Sequence, residues 1–255
     1  METYKEKTDD SSNYHGCIKE KETEDYHSPS LVCIEEGKNM IVDERMVTFI
    51  HSLETENSEI LETIEKEALD TFVPIIRKEM QSFMKVLLAI KKPKRILEVG
   101  TAVGFSAILM SEYAPEDAHI TTIEKYEKRI PIARENFKRA GKENQITLIE
   151  GDALEVLQSL EGTYDFIFMD AAKGQYIYYL PEVVRLLEKD GVFVTDNVLQ
   201  DGDIIESRFA VERRNRTIHS RMRDYLYELK HHEVLETSII PLGDGVALST
   251  KVREE

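Results

Sequence analysis

The sequence predicts a doubly wound α/β fold, a mainly parallel sheet with helices on both faces and an antiparallel edge strand. Three observations point to it. Between Arg95 and Thr195 short apolar runs alternate with segments of helical spacing. The run Phe166-Ile-Phe-Met169 is apolar without interruption, as in a strand buried on both faces. Near the C terminus, Leu235–Ile240 and Val246–Lys251 flank Pro241-Leu-Gly-Asp-Gly245, which reads as a hairpin reversing direction at one edge.

Taken in order, residues 1–40 mix Lys, Glu, Asp, Ser and Asn without period and are predicted to be a disordered, net acidic tail. Residues 41–255 then form one domain with an N-terminal helical extension. Met46, Phe49, Ile50 and Leu53 set a first helix from Asp43, and Ser58 can cap a second running to about Leu69. Pro74 punctuates the chain, after which Ile76, Met80, Phe83, Met84, Leu87 and Leu88 recur at helical spacing up to Lys92-Pro93. Strands are expected near Arg95–Val99, His119–Glu124, Ile146–Glu150, Tyr164–Met169 and 192–195. Helices are expected near Phe105–Tyr113, 127–140, 153–160 and 176–188, with Gly141 as a helix stop. A last long helix should cover 211–230.

At 255 residues and 41% hydrophobic content the chain can bury one sizeable core. Its net charge of −16 disfavours nonspecific binding to nucleic acid or acidic membranes, which Lys and Arg would have to hold. Charge is uneven along the chain, and over 206–230 basic residues outnumber acidic ones. Cys17 and Cys33 make neither a disulfide framework nor a Cys-based metal site and favour a reducing compartment. The N terminus lacks a signal-peptide core and no run is long enough to span a bilayer, so no membrane partner and a cytoplasmic location are expected.

The candidate chemistry sits at strand ends. Asp170 follows Phe166–Met169 and Lys173 follows three residues later, at the carboxyl edge where open α/β sheets bind ligands. Alone, this pair reads equally as a solvated turn. A second apolar strand, however, ends in Asp196 and Asn197, and Asp, Asp and Asn are hard oxygen donors suited to Mg²⁺ or a similar divalent cation. After the first strand, Gly100-Thr-Ala-Val-Gly104 is a glycine-rich turn entering a helix, without the three-glycine fingerprint of a dinucleotide site. An NAD-dependent dehydrogenase is thereby disfavoured. Glu124 ends the second strand and can accept from two ribose hydroxyls; Asp152 follows the third and can receive an adenine amino group. Together they describe a pocket for adenosine without phosphate.

On these residues the sequence resembles the S-adenosylmethionine-dependent methyltransferases, and more narrowly the metal-dependent O-methyltransferases that include the catechol and caffeoyl-CoA enzymes. The resemblance covers about residues 75–251 and implies a Rossmann-like methyltransferase sheet. It implies Asp170, Asp196 and Asn197 as metal ligands and Lys173, with Asp170, as catalytic. It also implies cofactor contacts at Ile76 on the preceding helix and at Gly100, Ser106, Glu124, Asp152, Ala153 and Asp170. Three segments, Asp170-Ala-Ala-Lys-Gly-Gln-Tyr176, Thr195-Asp-Asn-Val-Leu199 and Ile240-Pro-Leu-Gly-Asp-Gly245, look like the bacterial tRNA 5-hydroxyuridine methyltransferases. The tail at 1–40 departs from the compact members.

The expected reaction is methyl transfer from the sulfonium to a hydroxyl by in-line displacement, with a divalent cation stabilising the deprotonated oxygen and Lys173 removing the proton. A lysine can do so only where neighbouring positive charge favours its neutral form. The expected acceptor is 5-hydroxyuridine at the wobble position of a tRNA anticodon loop. A catechol-like or hydroxycinnamoyl-CoA molecule is the alternative, since it too offers two adjacent oxygens, and a noncatalytic S-adenosylmethionine-binding protein is a second. For the tRNA reading, Ile218, Met222, Tyr225, Leu226 and Leu229 form an apolar stripe, opposite which Arg213, Arg216 and Arg223 either meet phosphates or form a solvated basic face. A homodimer is expected from apolar surface on the N-terminal helices and the terminal hairpin, and because relatives commonly pair.

Overall fold

The computed structural model describes residues 42–254, so the expected tail at 1–40, with Cys17 and Cys33, lies outside the described residues. Two helices come first, α1 (Glu44–His51) and α2 (Glu59–Asp70). Each begins where a side-chain oxygen takes an otherwise orphaned N–H: Asp43 accepts from the Arg45 amide and Ser58 from the Leu61 amide. There follow α3 (Lys78–Lys91), β1 (Arg95–Val99), α4 (Phe105–Tyr113), β2 (His119–Glu124), α5 (Ile130–Arg139), β3 (Ile146–Glu150) and α6 (Ala153–Ser159). The second half comprises β4 (Tyr164–Met169), α7 (Tyr176–Leu186), β5 (Leu187–Thr195), α8 (Arg216–His231), β6 (Leu235–Ile240) and β7 (Val246–Lys251).

The strands form one seven-stranded sheet in the order β3-β2-β1-β4-β5-β7-β6. The first five run parallel, and β7 runs antiparallel both to β5 and to the edge strand β6. Strand order reverses between β1 and β4, which opens a crevice beyond their carboxyl ends. Alternation along each strand divides the core between the two faces. Ile96, Phe166, Phe168 and Val194 point to the face covered by α2, α3, α4 and α5, through Leu61, Met84, Ile108 and Phe137. Leu97, Val99, Ile167, Met169 and Phe193 point to the face covered by α6, α7 and α8, through Leu157, Val183, Tyr225 and Leu229. Among the described residues no helix is long and apolar enough to cross a membrane.

Several boundaries differ from the sequence expectation, each for a local reason. Helix α5 starts at Ile130 rather than 127, because Pro131 lacks an N–H and fits only the first turn. It ends as expected, with Gly141 left-handed at φ +65°. Strand β5 starts at Leu187, before the expected 192, with a register shift between its pairs Tyr164↔Leu187 and Phe166↔Val192. Helix α8 starts at Arg216 rather than 211, and the Arg216 guanidinium instead binds the carbonyls of Val211 and Phe209 in the preceding turns. Ile76 precedes α3 rather than lying on it, since Arg77 is extended at ψ 158°.

Candidate active site

The β-ladder itself places the two aspartates side by side. Met169 of β4 is in register with Thr195 of β5, and the pattern continues one step past both strands: the Asp170 amide donates to Val99 O and the Asp196 amide to Met169 O, each at 3.0 Å. Asp170 and Asp196 therefore leave neighbouring strands at one edge of the sheet. Burial is the largest influence on both carboxyls and raises them above the usual carboxylate range. The charge of Asp170 raises Asp196 further, while Lys173 opposes the shift in both. Buried Tyr176 secures the two loops from below, accepting from the Ala171 amide at 3.2 Å and donating to Asp196 O at 3.4 Å.

Asn197 adopts φ +59°, a conformation that asparagine tolerates better than most residues. Its amide N–H donates to Asp196 Oδ1 at 2.7 Å and its side-chain Nδ2 to Asp244 Oδ2 at 3.3 Å.

The glycine-rich turn is shaped by two close approaches. A Cβ on Gly100 would lie 2.1 Å from the Asp170 carbonyl oxygen, so only glycine lets the ends of β1 and β4 come together. A Cβ on Gly104 would lie 2.5 Å from the Phe137 ring. Glu124, at the end of β2, is held by three backbone donors: Ala102 N at 2.8 Å, Lys125 N at 2.9 Å and Tyr126 N at 2.8 Å. A carboxylate has about four lone-pair positions, so one remains for a ligand hydroxyl, along with any bond the ligand can share.

These strand ends open onto a cavity of about 600 Å³, into which Ile76, Gly100, Glu124, Ala153, Asp170, Lys173, Asp196 and Asn197 all face. Two expected contacts do not line it. The Ser106 hydroxyl donates to Glu98 Oε1 at 2.5 Å, beneath the turn. Asp152 caps α6 through the Leu154 amide at 3.0 Å and accepts from Lys125 Nζ at 3.2 Å, which leaves it beside Gly151 and Ala153 at the rim.

Sequence reasoning passed over three residues. Glu98 is wholly buried, and its carboxyl gathers the hydroxyls of Ser106 and Thr122. An acid inside an otherwise apolar strand was its signal. Arg77 and Asp244 line the cavity and pair with each other at 2.5 Å. Asp244 stood within a segment singled out by resemblance, whereas nothing in the sequence marked Arg77.

The donor set at Asp170, Asp196 and Asn197 fits a divalent cation. Buried Asp196 and half-buried Asp170, side by side, carry charge that only a cation neutralises without protonation, and the asparagine adds a neutral oxygen.

A family model described as O-methyltransferase matches residues 51–252. The chain is 31% identical over 185 residues to caffeoyl-CoA O-methyltransferase 2 of Populus trichocarpa, spanning 67% of this chain and 72% of that protein. It is 34% identical over 128 residues to a catechol O-methyltransferase of Niastella koreensis, spanning 49% and 58%. Among solved structures, the SAH-bound methyltransferase PaMTH1 of Podospora anserina is similar with a TM-score of 0.74 at 26% identity, covering 88% of this chain and 99% of that one.

Proposed function

The chain belongs to the O-methyltransferase family, and we propose that it moves a methyl group from S-adenosylmethionine to one hydroxyl of a small acceptor with two adjacent oxygens, of the catechol or hydroxycinnamoyl-CoA kind. The observation that carries this reading is one cavity that joins the adenosine-type wall at Gly100, Glu124 and Ala153 to the group Asp170, Lys173, Asp196 and Asn197. In the reaction the methyl carbon leaves the sulfonium sulfur and bonds to the acceptor oxygen. The products are S-adenosylhomocysteine and a methyl ether, and the hydroxyl proton passes to a base.

Each residue has a task in that exchange. Glu124, already fixed by three backbone N–H groups, takes ribose hydroxyl, and its rigidity means little ordering is needed on binding. Gly100 lets the ends of β1 and β4 close together to form the wall the cofactor lies against, since a Cβ there would meet the Asp170 carbonyl oxygen. Lys173 lies beside Asp170 and Asp196, where it receives the acceptor proton. Asp170, Asp196 and Asn197 would hold Mg²⁺ or another divalent cation, whose charge when bound favours the deprotonated acceptor oxygen.

Support for a small acceptor comes from the relatives named above, which are caffeoyl-CoA and catechol enzymes, and from the basic helix. Arg216 is spent on the carbonyls of Val211 and Phe209, and Arg223 donates to Ile204 O at 3.1 Å. Two of the three arginines expected to grip tRNA phosphates therefore have a structural use, which favours the solvated or structural reading of that helix over a phosphate-binding one.

Transfer of labelled methyl to caffeoyl-CoA, catechol and undermodified tRNA, each with and without Mg²⁺, tests the proposal. Label is expected on a catechol-type acceptor only when the cation is present. Label on tRNA alone would reinstate the wobble-uridine substrate, and cofactor binding without transfer to any acceptor would point to a noncatalytic protein.

A further inference from the structure

We propose that Asp244 is a positioning residue for Asn197, fastened in place by Arg77. The inference rests on the cation reading of Asp170, Asp196 and Asn197.

The amide of Asn197 has one oxygen and one nitrogen, and only the oxygen can bind a cation. A carboxylate accepts hydrogen bonds and donates none, so the branch facing Asp244 Oδ2 at 3.3 Å has to be Nδ2. That assignment leaves Oδ1 as the cation donor. Without Asp244 the two branches exchange by rotation about one bond, and a fraction of molecules presents an N–H to the ion. The backbone supports the same pairing: Val198 N donates to Gly245 O at 2.9 Å and Leu199 N to Asp244 O at 2.8 Å. Gly245, at φ +88°, would bring a Cβ to 2.3 Å from Leu199 Cγ, so the two loops are held at glycine distance.

Arg77 completes the device. Its guanidinium reaches Asp244 Oδ1 at 2.5 Å and Asp201 Oδ1 at 3.2 Å, tying the start of α3 to the loops after β5 and before β7. Asp244 itself is not assigned as a ligand, because its two oxygens are already engaged, Oδ1 by the Arg77 guanidinium and Oδ2 by Asn197 Nδ2. Its action is exerted through Asn197, as a hydrogen-bonded partner orients a metal ligand elsewhere.

Mn²⁺ titration of the full chain followed by electron paramagnetic resonance reads the effect without turnover, and S-adenosylhomocysteine calorimetry serves as the control for folding. Asp244→Ala is expected to weaken Mn²⁺ binding by roughly 10–100-fold, the usual consequence of losing a partner that orients a ligand, while the S-adenosylhomocysteine affinity stays at the wild-type value. Asp244→Asn removes the charge yet keeps an acceptor for Nδ2, and is expected to lie much closer to wild type than to the Ala variant. Wild-type Mn²⁺ affinity in Asp244→Ala overturns the inference, as does an Asn variant as weak as Ala, which would make the effect one of charge alone. Should Asp244→Ala fail to fold, the Asn variant decides against wild type alone: Mn²⁺ affinity near wild type supports the inference, and a loss of roughly 10-fold or more overturns it. Absence of Mn²⁺ binding in the wild-type protein overturns the cation reading, and this inference with it.

Discussion

Glu98 shows how a single side chain links the sheet to pH. Burial pushes its carboxyl up to about 7, against the hydroxyls of Ser106 and Thr122, which favour the charged form. An acid raised on folding contributes stability that is complete below its unfolded value and is lost as pH rises through the folded one. The shift from 4.5 to about 7 corresponds to about 3 kcal/mol, as an order of magnitude. Melting curves of Glu98→Gln and wild type should therefore shift relative to one another in the variant's favour between pH 5 and pH 8; a pH-independent difference would show that Glu98 does not titrate in this range. Lys173 makes a contrasting case, since its value lies in the reaction. Lys173→Ala should lower the single-turnover rate by ~10²–10⁴-fold, the range for general-base help, with cofactor affinity nearly unchanged. An unaltered rate would remove Lys173 from the mechanism. Both aspartates and the lysine were legible in the sequence because apolar runs ended at them. Glu98 was not legible, because only the fold shows that its carboxyl turns inward beneath the turn to the hydroxyls of Ser106 and Thr122.

Among the elements, α1 meets α3 through His51, which bonds Glu79 at 2.7 Å, yet leaves apolar side chains in the open: Met46 is 54% and Phe49 58% exposed, and none of its residues is buried. We propose that the homodimer expected from sequence pairs through these exposed side chains. Light scattering should give about twice the 29.4 kDa chain mass, and replacing Met46 and Phe49 together with Ser should move it to the monomer value. A monomer mass for wild type over a wide concentration range would refute the pairing. Helix α8 teaches the limits of a helical wheel. Met222, Tyr225 and Leu229 are buried as the stripe required, but Ile218 is 36% exposed and the buried residue one position on is His219. The wheel also placed Arg213, Arg216 and Arg223 outward, whereas Arg216 and Arg223 reach back to carbonyls of neighbouring loops, as does Arg221, which donates to Gly174 O. Long side chains make such contacts with segments remote in sequence, and no periodicity reports them.

For the whole molecule, the parallel half was the most legible part, because buried strands and their helices impose two distinct periods on the chain. The position of β7 inside the sheet, between β5 and β6, was less so: a hairpin signal shows that two strands pair, not which of them meets the older sheet. That placement brings Gly243 and Asp244 to the cavity, and it explains why Asp244 could be noticed in sequence without a role being assigned.

The same topology divides the active site along the chain. Gly100, Glu124, Gly151 and Ala153 on the proposed donor wall all precede Asp170, whereas Asn197, Leu242, Gly243 and Asp244 on the opposite wall all follow it. Arg77 is the exception, since it precedes Asp170 and reaches across to Asp244, so a crossover in the stretch encoding 171–195 would exchange Asn197 and the 242–244 loop but part Asp244 from the arginine that fastens it. The acceptor side can therefore vary by exchange of the C-terminal part only where the incoming loop still suits Arg77.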